Sequence, residues 1–254
     1  MSSDAETLYF VGCTTAYVYP DTGRAMKKIL ETAGIETMVL EDEPCCGGVI
    51  FMIGQSEEAN KKVKQNIQYF QDHNIRKIVV NCPECYKTFV QDYPRVDPSF
   101  NISVQHSTQI IAQLIRENKL TLTKEVPIKA TYHDSCHLGR YCGIYEEPRF
   151  IINSIPGIKF KEMEYTKEHA NCCGGPIKEP FIDLRNQMTL MSLDLAKRNK
   201  NIITACPTCF YNLETVANLF EHKVRVLELI NLVAYSAGLI PDLPVLAEAA
   251  EKGE

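Results

Sequence analysis

The cysteine residues of this chain occur twice in the same order. In each half, one cysteine is separated by 31 or 35 intervening residues from an adjacent cysteine pair with two glycines, which is followed by a Cys-Pro-x-Cys turn. Corresponding cysteines lie 123 to 127 positions apart, and ten of the eleven obey this rule, which indicates an internal duplication of about 124 residues. The first set is Cys13, Cys45, Cys46, Cys82 and Cys85, and the second set is Cys136, Cys172, Cys173, Cys206 and Cys209.

Strands and helices are predicted to alternate in both halves. Apolar runs such as residues 8–13 and 128–133 predict buried strands, and apolar residues at three- and four-residue spacing, as in residues 56–73, predict amphipathic helices. This alternation favours an α/β fold of two similar Rossmann-like lobes with parallel sheets, at residues 1–120 and 121–254. Further predicted strands are residues 37–40, 77–80, 102–105, 158–165, 201–205 and 224–227. Further predicted helices are residues 22–33, 108–117, 147–155, 181–197 and 228–237, and residues 243–254 are expected to form a helical or frayed tail.

Charge and hydropathy exclude several classes of protein. The 27 basic and 32 acidic residues give a net charge of −5, which does not favour a nucleic-acid partner. The longest uncharged apolar-leaning run, residues 229–241, has 13 residues, whereas a membrane span needs about 20. The first 13 residues contain no lysine or arginine and do not resemble a secretory signal. We therefore expect a cytoplasmic protein without a transmembrane segment of its own, whose cysteines are reduced thiols rather than disulfides.

The predicted strands place these cysteines where α/β sheets build their sites. Each cysteine of the two sets lies at the carboxyl end of a predicted strand or in the turn after it. Pro83 and Pro207 then occupy the first helical position, and the free backbone N–H groups there can stabilise anionic sulfur. Zinc and ordinary iron–sulfur clusters take four ligands, whereas each half offers five. Since adjacent cysteines point in different directions, the count favours an iron–sulfur cluster of unusual shape. Zinc remains an alternative in the first lobe if one cysteine is idle.

The repeated Cys…CCGG…CPxC layout resembles the cysteine-rich CCG domain of heterodisulfide reductase catalytic subunits and their relatives. These relatives include subunits of glycolate and lactate oxidation complexes and of some succinate and thiol:fumarate reductases. The segments FVGC, HDSCHLGR and NCCGGP resemble the heterodisulfide reductase branch most closely. The resemblance implies two noncubane 4Fe–4S clusters, one held by each five-cysteine set. It also implies that the disulfide of coenzyme M and coenzyme B binds between them and is split into two thiols, a reaction of methanogenesis.

Several residues near the second set are candidates for handling the substrate. His133 and His137 flank Cys136, and either could donate a proton to a leaving thiolate; both could equally be hydrogen-bonded histidines at a strand end. Arg140 could pair with a sulfonate or carboxylate of a substrate, or be an exposed arginine after a turn. Lys178 could likewise pair with an anionic group of a substrate or be an exposed basic residue. Cys142 lies outside the repeat and is interpreted as a buried thiol or a substitute ligand.

The source of electrons is expected to lie in other subunits. The sequence contains neither a C-x2-C-x2-C-x3-C ferredoxin run nor a glycine-rich nucleotide loop. We therefore expect a ferredoxin-like iron–sulfur subunit and a flavin, haem or hydrogenase component as partners, with membrane association only through a partner subunit. Three functions remain open: a heterodisulfide reductase-like subunit, an electron-transfer subunit of a glycolate/lactate oxidase or succinate/fumarate reductase-type complex, and a zinc-stabilised interaction module.

Overall fold

The computed structural model describes residues 6–175 and 181–243 and contains two parallel sheets with helices on both faces. The strands are β1 (Thr7–Phe10), β2 (Lys77–Val80), β3 (Ser103–His106), β4 (Lys129–Tyr132), β5 (Lys159–Phe160), β6 (Asn201–Thr204) and β7 (Arg225–Glu228). The helices are α1 (Cys13–Tyr17), α2 (Pro20–Thr32), α3 (Gly48–Met52), α4 (Ser56–Asp72), α5 (Pro83–Lys87), α6 (Tyr93–Val96), α7 (Ser107–Arg116), α8 (Glu146–Ser154), α9 (Ile182–Ala196), α10 (Pro207–Leu219) and α11 (Leu229–Ser236). A π-helical turn, Thr88–Asp92, joins α5 to α6.

The two sheets repeat one topology. The first sheet has the order β1-β2-β3 and the second the order β5-β4-β6-β7, and every pairing is parallel. Strands β4, β6 and β7 therefore correspond to β1, β2 and β3. We call the part built on β1–β3 the first lobe and the part built on β4–β7 the second lobe. This architecture confirms the predicted α/β fold of two similar lobes with parallel sheets.

Two predicted strands are much shorter than expected. Residues 37–40 contribute only a single parallel bridge, between Met38 and Leu8, and residues 158–165 contribute the two-residue strand β5. After Met38, the Glu43 carboxylate accepts hydrogen bonds from the backbone N–H groups of Val11 and Gly12, which follow β1. Residues 244–254, most of the predicted tail, lie outside the described residues. None of the described helices combines the length and apolar composition that a bilayer crossing requires.

The two lobes share one continuous hydrophobic core. Tyr9 of β1 packs in a core that also contains Ala130 and Ile203 of the second sheet, whereas Leu8 and Phe10 pack in a separate core beneath α4. Helices α2, α7, α8 and α11 fill the shared core, with α2 packed on α11 and α7 on α8. Because both faces of each sheet are covered, the strand sequences are apolar runs and do not alternate between apolar and polar residues. The shared core fixes the carboxyl edges of the two sheets relative to each other.

Leu30 of α2 tests how much the shared core contributes to stability. Its side chain is fully buried among residues of both lobes. We expect Leu30→Ala to lower the free energy of unfolding by about 2–5 kcal/mol, because a cavity remains where the side chain was. Urea unfolding measures this loss, and Leu219→Ala on α10, where the side chain is 61% exposed, is the matched control. Equal losses in the two variants would contradict the shared core.

Candidate metal centres

The cysteines of both sets lie at the carboxyl edges of the two sheets. Cys13 begins α1 directly after β1, and Cys82 and Cys206 are the N-cap residues of α5 and α10, after β2 and β6. The adjacent pairs Cys45-Cys46 and Cys172-Cys173 lie in loops ahead of α3 and α9. Parallel strands end on the same edge of a sheet, so residues that are distant in sequence meet there.

The five cysteines of the first set lie together. The Cys46 thiol is hydrogen-bonded to the thiols of Cys45 and Cys85, and Cys85 is also hydrogen-bonded to Cys82. Cys13 lies close enough to Cys45 and Cys82 for their charges to interact. All five are free thiols. The structure therefore brings together the residues that the sequence assigned to one site.

The second set repeats this arrangement. The Cys172 thiol is hydrogen-bonded to Cys136 and to Cys173. Cys173 is hydrogen-bonded in turn to Cys209, and Cys209 to Cys206. These five cysteines are free thiols as well. Each lobe thus carries a continuous cluster of five sulfur atoms at the same place in its fold.

Backbone N–H groups point at the sulfur atoms in both clusters. Gly47 and Gly48 donate to the sulfur atoms of Cys45 and Cys46, each at 3.4 Å, and Gly174 donates to Cys172 at the same distance. Gly47 and Gly174 have φ angles of 88° and 77°, a left-handed conformation that favours glycine. The two glycines after each cysteine pair therefore allow the turn that aims these donors at sulfur. Such donors stabilise anionic sulfur.

The thiols of each cluster cannot all ionise on their own. Hydrogen bonds from Cys45 and Cys85 lower the pKa of Cys46 to about 6, and the hydrogen bond with Cys46 raises the pKa of Cys45 far above the ordinary value. In the second cluster, Cys136 and Cys173 lower the pKa of Cys172, whereas the hydrogen bond with Cys172 raises the pKa of Cys136. A negative charge on one sulfur opposes a second beside it. Five converging thiolates therefore fit a positively charged metal group, which would remove this repulsion.

Burial divides each cluster into an inner and an outer part. The outer cysteines, Cys13 and Cys45 in the first lobe and Cys136 and Cys172 in the second, are exposed or half-buried. The inner cysteines are buried, and they are Cys46, Cys82, Cys85, Cys173, Cys206 and Cys209. Each site therefore opens to its surroundings on the side of its outer cysteines, where a ligand can reach a metal group.

His133 lies inside the second cluster. A ring nitrogen of His133 and the sulfur atoms of Cys173 and Cys209 are all within 4.8 Å of one another, and all three residues are buried. Burial lowers the pKa of His133, so its imidazole is neutral. Its Nε2 has no hydrogen-bond partner among the described residues. Since neutral imidazole is a metal ligand, His133 is placed to be a sixth donor, an interpretation that the sequence alone did not suggest.

His137 and Arg140 make contacts that the sequence did not predict. His137 Nδ1 is 3.6 Å from Cys136 Sγ, and its Nε2 is 2.5 Å from a carboxylate oxygen of Glu84 in the first lobe. Arg140 donates from one guanidinium nitrogen to the backbone carbonyl oxygens of Glu168 and Ala170, just before Cys172-Cys173. The exposed Arg140 therefore also holds the loop that carries this cysteine pair.

The two other candidates lie away from the clusters or outside the described residues. Cys142 is half-buried, packs against the shared core and lies 3.9 Å from Gln91 Nε2 of the first lobe. Burial raises the pKa of Cys142 to about 11, which makes it a poor nucleophile. No contact of Cys142 with either cluster is seen in the part of the chain that the structure describes. Lys178 lies outside the described residues.

Polar side chains beside the clusters were missed at the sequence level. Glu43 ties the loop before Cys45 to the end of β1 through its bonds with Val11 and Gly12, at 2.7 Å each. Asn212 Nδ2 is 3.7 Å from Cys173 Sγ in the second cluster. The Glu84 carboxylate lies at the boundary between the lobes. Of these three residues, only Glu84 could have been found from the sequence, because it is the variable residue of the first Cys-Pro-x-Cys turn.

Comparisons with known proteins agree with the duplication. The family model described as the CCG cysteine-rich domain matches residues 7–90 and 130–214. A dihydromethanophenazine:CoB–CoM heterodisulfide reductase subunit from Methanosarcina acetivorans is 33% identical over 94% of this chain and 61% of its own length. EtfAB:quinone oxidoreductase from Syntrophomonas wolfei is 32% identical over 80% of this chain and 30% of its own. A fumarate reductase (CoM/CoB) subunit from Methanothermobacter marburgensis is 32% identical over 90% of this chain and 46% of its own.

All three relatives are longer than the part of them that this chain matches. The chain spans about three fifths of the length of the first relative and less of the other two. Among solved structures, a hypothetical protein from Helicobacter pylori superimposes with a TM-score of 0.66 over 95% of this chain and 51% of its own, at 14% identity. At this identity the likeness concerns the fold alone.

A buried carboxyl group near the second cluster makes stability depend on pH. Glu228 ends β7 and accepts hydrogen bonds from the backbone N–H groups of Ile230 and Asn231, at 2.6 and 3.2 Å. Its complete burial raises its pKa from 4.5 to about 8. The native state therefore holds a proton that the unfolded chain releases, and the stability that this proton contributes is lost as the pH rises from about 4.5 through about 8.

We expect Glu228→Gln to remove this dependence, because the amide keeps an acceptor oxygen for the helix N-terminus but does not ionise. Between about pH 6 and pH 8.5, the parent should lose about 2 kcal/mol of unfolding free energy more than the variant. Urea unfolding of both proteins at the two pH values measures their unfolding free energies. Groups that titrate alike in the two proteins cancel when the pH-dependent losses are compared. Parallel losses in the two proteins would show that Glu228 is ionised in the native state.

Proposed function

Because this chain belongs to the CCG cysteine-rich domain family, we propose that it is the iron–sulfur subunit of a heterodisulfide reductase-like complex. The reaction is the reduction of a disulfide of the coenzyme M–coenzyme B type to two thiols. It takes place at paired noncubane 4Fe–4S clusters, with electrons from partner subunits. These partners are a ferredoxin-like iron–sulfur subunit and a flavin, haem or hydrogenase component.

The presence of two complete five-cysteine clusters, one in each lobe, carries this proposal. A contact between His137, next to Cys136, and Glu84, between Cys82 and Cys85, supports a position for the two sites on either side of the boundary between the lobes. Tyr19 of the first lobe also donates a hydrogen bond to Glu214 of the second at 2.9 Å. A protein that only passed electrons through one centre would not need the second set. Two centres in one chain suit a substrate whose bond must be opened at both ends.

The reaction requires two electrons and two protons, and it converts one S–S bond into two S–H bonds. In each lobe, an iron–sulfur cluster would supply one electron and an iron site for one product sulfur. The outer cysteines leave the open side on which the substrate approaches, and the buried inner cysteines exclude water behind it. Arg140 retains guanidinium nitrogens that do not bind the loop carbonyls, and these can pair with an anionic substituent of the substrate. His133 and His137 complete the proposed polar surroundings of the second site.

An electron-transfer role in another oxidoreductase complex is the alternative. Similarity at 32% identity to proteins named as an EtfAB:quinone oxidoreductase and a fumarate reductase (CoM/CoB) subunit favours it. In such a complex, of the succinate/fumarate reductase or glycolate/lactate oxidase type, the substrate would react at a partner's cofactor. Turnover of a coenzyme M–coenzyme B heterodisulfide, compared with a quinone or a hydroxy acid, separates the two functions.

Metal content is the first test. Protein isolated without air should be brown and contain about four iron atoms for each five-cysteine set. Elemental analysis with visible absorption and EPR spectroscopy measures this. Cys142→Ser is the control, since Cys142 lies outside both clusters, and its iron content should match that of the parent. Colourless protein that holds zinc would overturn the proposal in favour of the structural interaction module.

Loss of either cluster should abolish disulfide reduction. We expect Cys46→Ser and Cys173→Ser each to reduce turnover of the heterodisulfide at least about a hundredfold, because each centre supplies one of the two electrons. The assay uses the complex or an artificial reductant with the full chain. If either variant keeps full activity while its own cluster is lost, the two-centre reaction is wrong.

A further inference from the structure

The two Cys-Pro-x-Cys turns differ at their variable residue. The first turn carries Glu84 where the second carries Thr208. Glu84 lies in the first turn of α5, between Cys82 and Cys85, and its side chain is only 12% exposed. A buried carboxyl group is costly unless a polar or charged partner offsets the loss of its hydration. Its position therefore calls for a partner elsewhere.

That partner is His137 of the second lobe. Glu84 Oε2 lies 2.5 Å from His137 Nε2, and the His137 side chain is 15% exposed. The other ring nitrogen of His137 lies 3.6 Å from Cys136 Sγ, and the ring stacks on Tyr141 with 5.1 Å between centroids. One imidazole thus touches an outer cysteine of the second cluster on one side and a carboxylate of the first on the other.

The carboxylate is held in place from the first lobe. The Thr88 hydroxyl donates to Glu84 Oε1 at 3.5 Å. A Cβ atom on Gly48 would lie 2.6 Å from the same oxygen, so the absence of a side chain at Gly48 leaves the room that Glu84 occupies. Glu84 is therefore fixed by the first cluster's own loop while it faces the second lobe.

The duplication supplies an internal comparison. The residue after Cys13, which corresponds to His137, is Thr14, and its side chain is hydrogen-bonded to Cys13. Thr208 corresponds to Glu84 and Thr14 to His137, and both threonines are uncharged. The equivalent pair of positions, Thr208 with Thr14, therefore has neither a carboxylate nor a histidine. A carboxylate of the first site thus contacts a histidine of the second site, and the equivalent positions cannot form the same pair in the opposite sense.

We propose that Glu84 and His137 form a one-way bridge in which Glu84, from the first cysteine set, positions His137 against Cys136 of the second. The bridge makes the two centres inequivalent: the ligand Cys136 is oriented by a residue of the opposite lobe, whereas Cys13 is oriented within its own. Groups that orient metal ligands commonly alter metal affinity by about 10- to 100-fold. This inference rests on the proposed function, since it takes both sets to hold iron.

The test uses variants in which one centre remains. In Cys46→Ser protein, where only the second set is complete, Glu84→Gln should change the EPR signal of the remaining centre. It should also speed the loss of iron to a chelator about tenfold or more. The matched control is Thr208→Val in Cys173→Ser protein, which should leave the signal of the remaining first centre and its iron loss unchanged. The thermal unfolding temperature of each variant is measured beside that of its own background.

His137→Gln tests the same bridge from the other lobe. In the Cys46→Ser background it should reproduce the effect of Glu84→Gln, and the double variant should show no further change, because the two residues act through one contact. Additive effects of the two substitutions would overturn the bridge. An unchanged EPR signal and an unchanged rate of iron loss in the Glu84→Gln variant would also overturn it, provided that the second set holds iron. Absence of iron from the second set would overturn the proposed function itself, and the bridge with it.

Discussion

Five sulfur atoms that lie together at the edge of a sheet cannot all be negative unless a positive centre lies among them. In both lobes a thiol whose pKa is lowered lies beside thiols whose pKa is raised, since each thiolate opposes the ionisation of its neighbours. Backbone N–H groups of the glycine turns offset part of this repulsion, and a metal group would remove the rest. The glycine turns, the helix starts and the burial of the inner cysteines serve this one arrangement.

The shared core explains why the two sites occur in one molecule. Buried residues of helices α2, α7, α8 and α11 belong to one core that also contains residues of both sheets. Neither lobe can cover this core alone. The same packing that stabilises the fold therefore fixes the carboxyl edges of both sheets, and with them both cysteine clusters. Contacts such as that of Tyr19 with Glu214 tie the loops around the clusters together across the boundary.

The duplication did not produce two identical sites. The second cluster contains the buried His133 and Asn212 beside Cys173, whereas the first is flanked by the carboxylates of Glu43 and Glu84. An asymmetric substrate made of two different thiols presents two different sulfur atoms. Under the proposed function, different surroundings at the two sites suit such a substrate, and they would give the two clusters different reduction potentials.

The sequence by itself determined the cysteine sets, the duplication, the parallel α/β architecture and the positions of most helices and strands. These features depend on local periodicity and on spacings that survive in both halves. The strands predicted at residues 37–40 and 158–165 are reduced to a single bridge and to the two-residue β5. Local propensity does not encode side-chain contacts such as those of Glu43 with Val11 and Gly12, which hold the chain at the end of β1. Only the tertiary structure decided that His133 lies among the sulfur atoms, that Arg140 holds a loop and that Glu84 meets His137. Those contacts join residues from different strand ends and different lobes, and the packing of the shared core, which no local pattern encodes, brings them together.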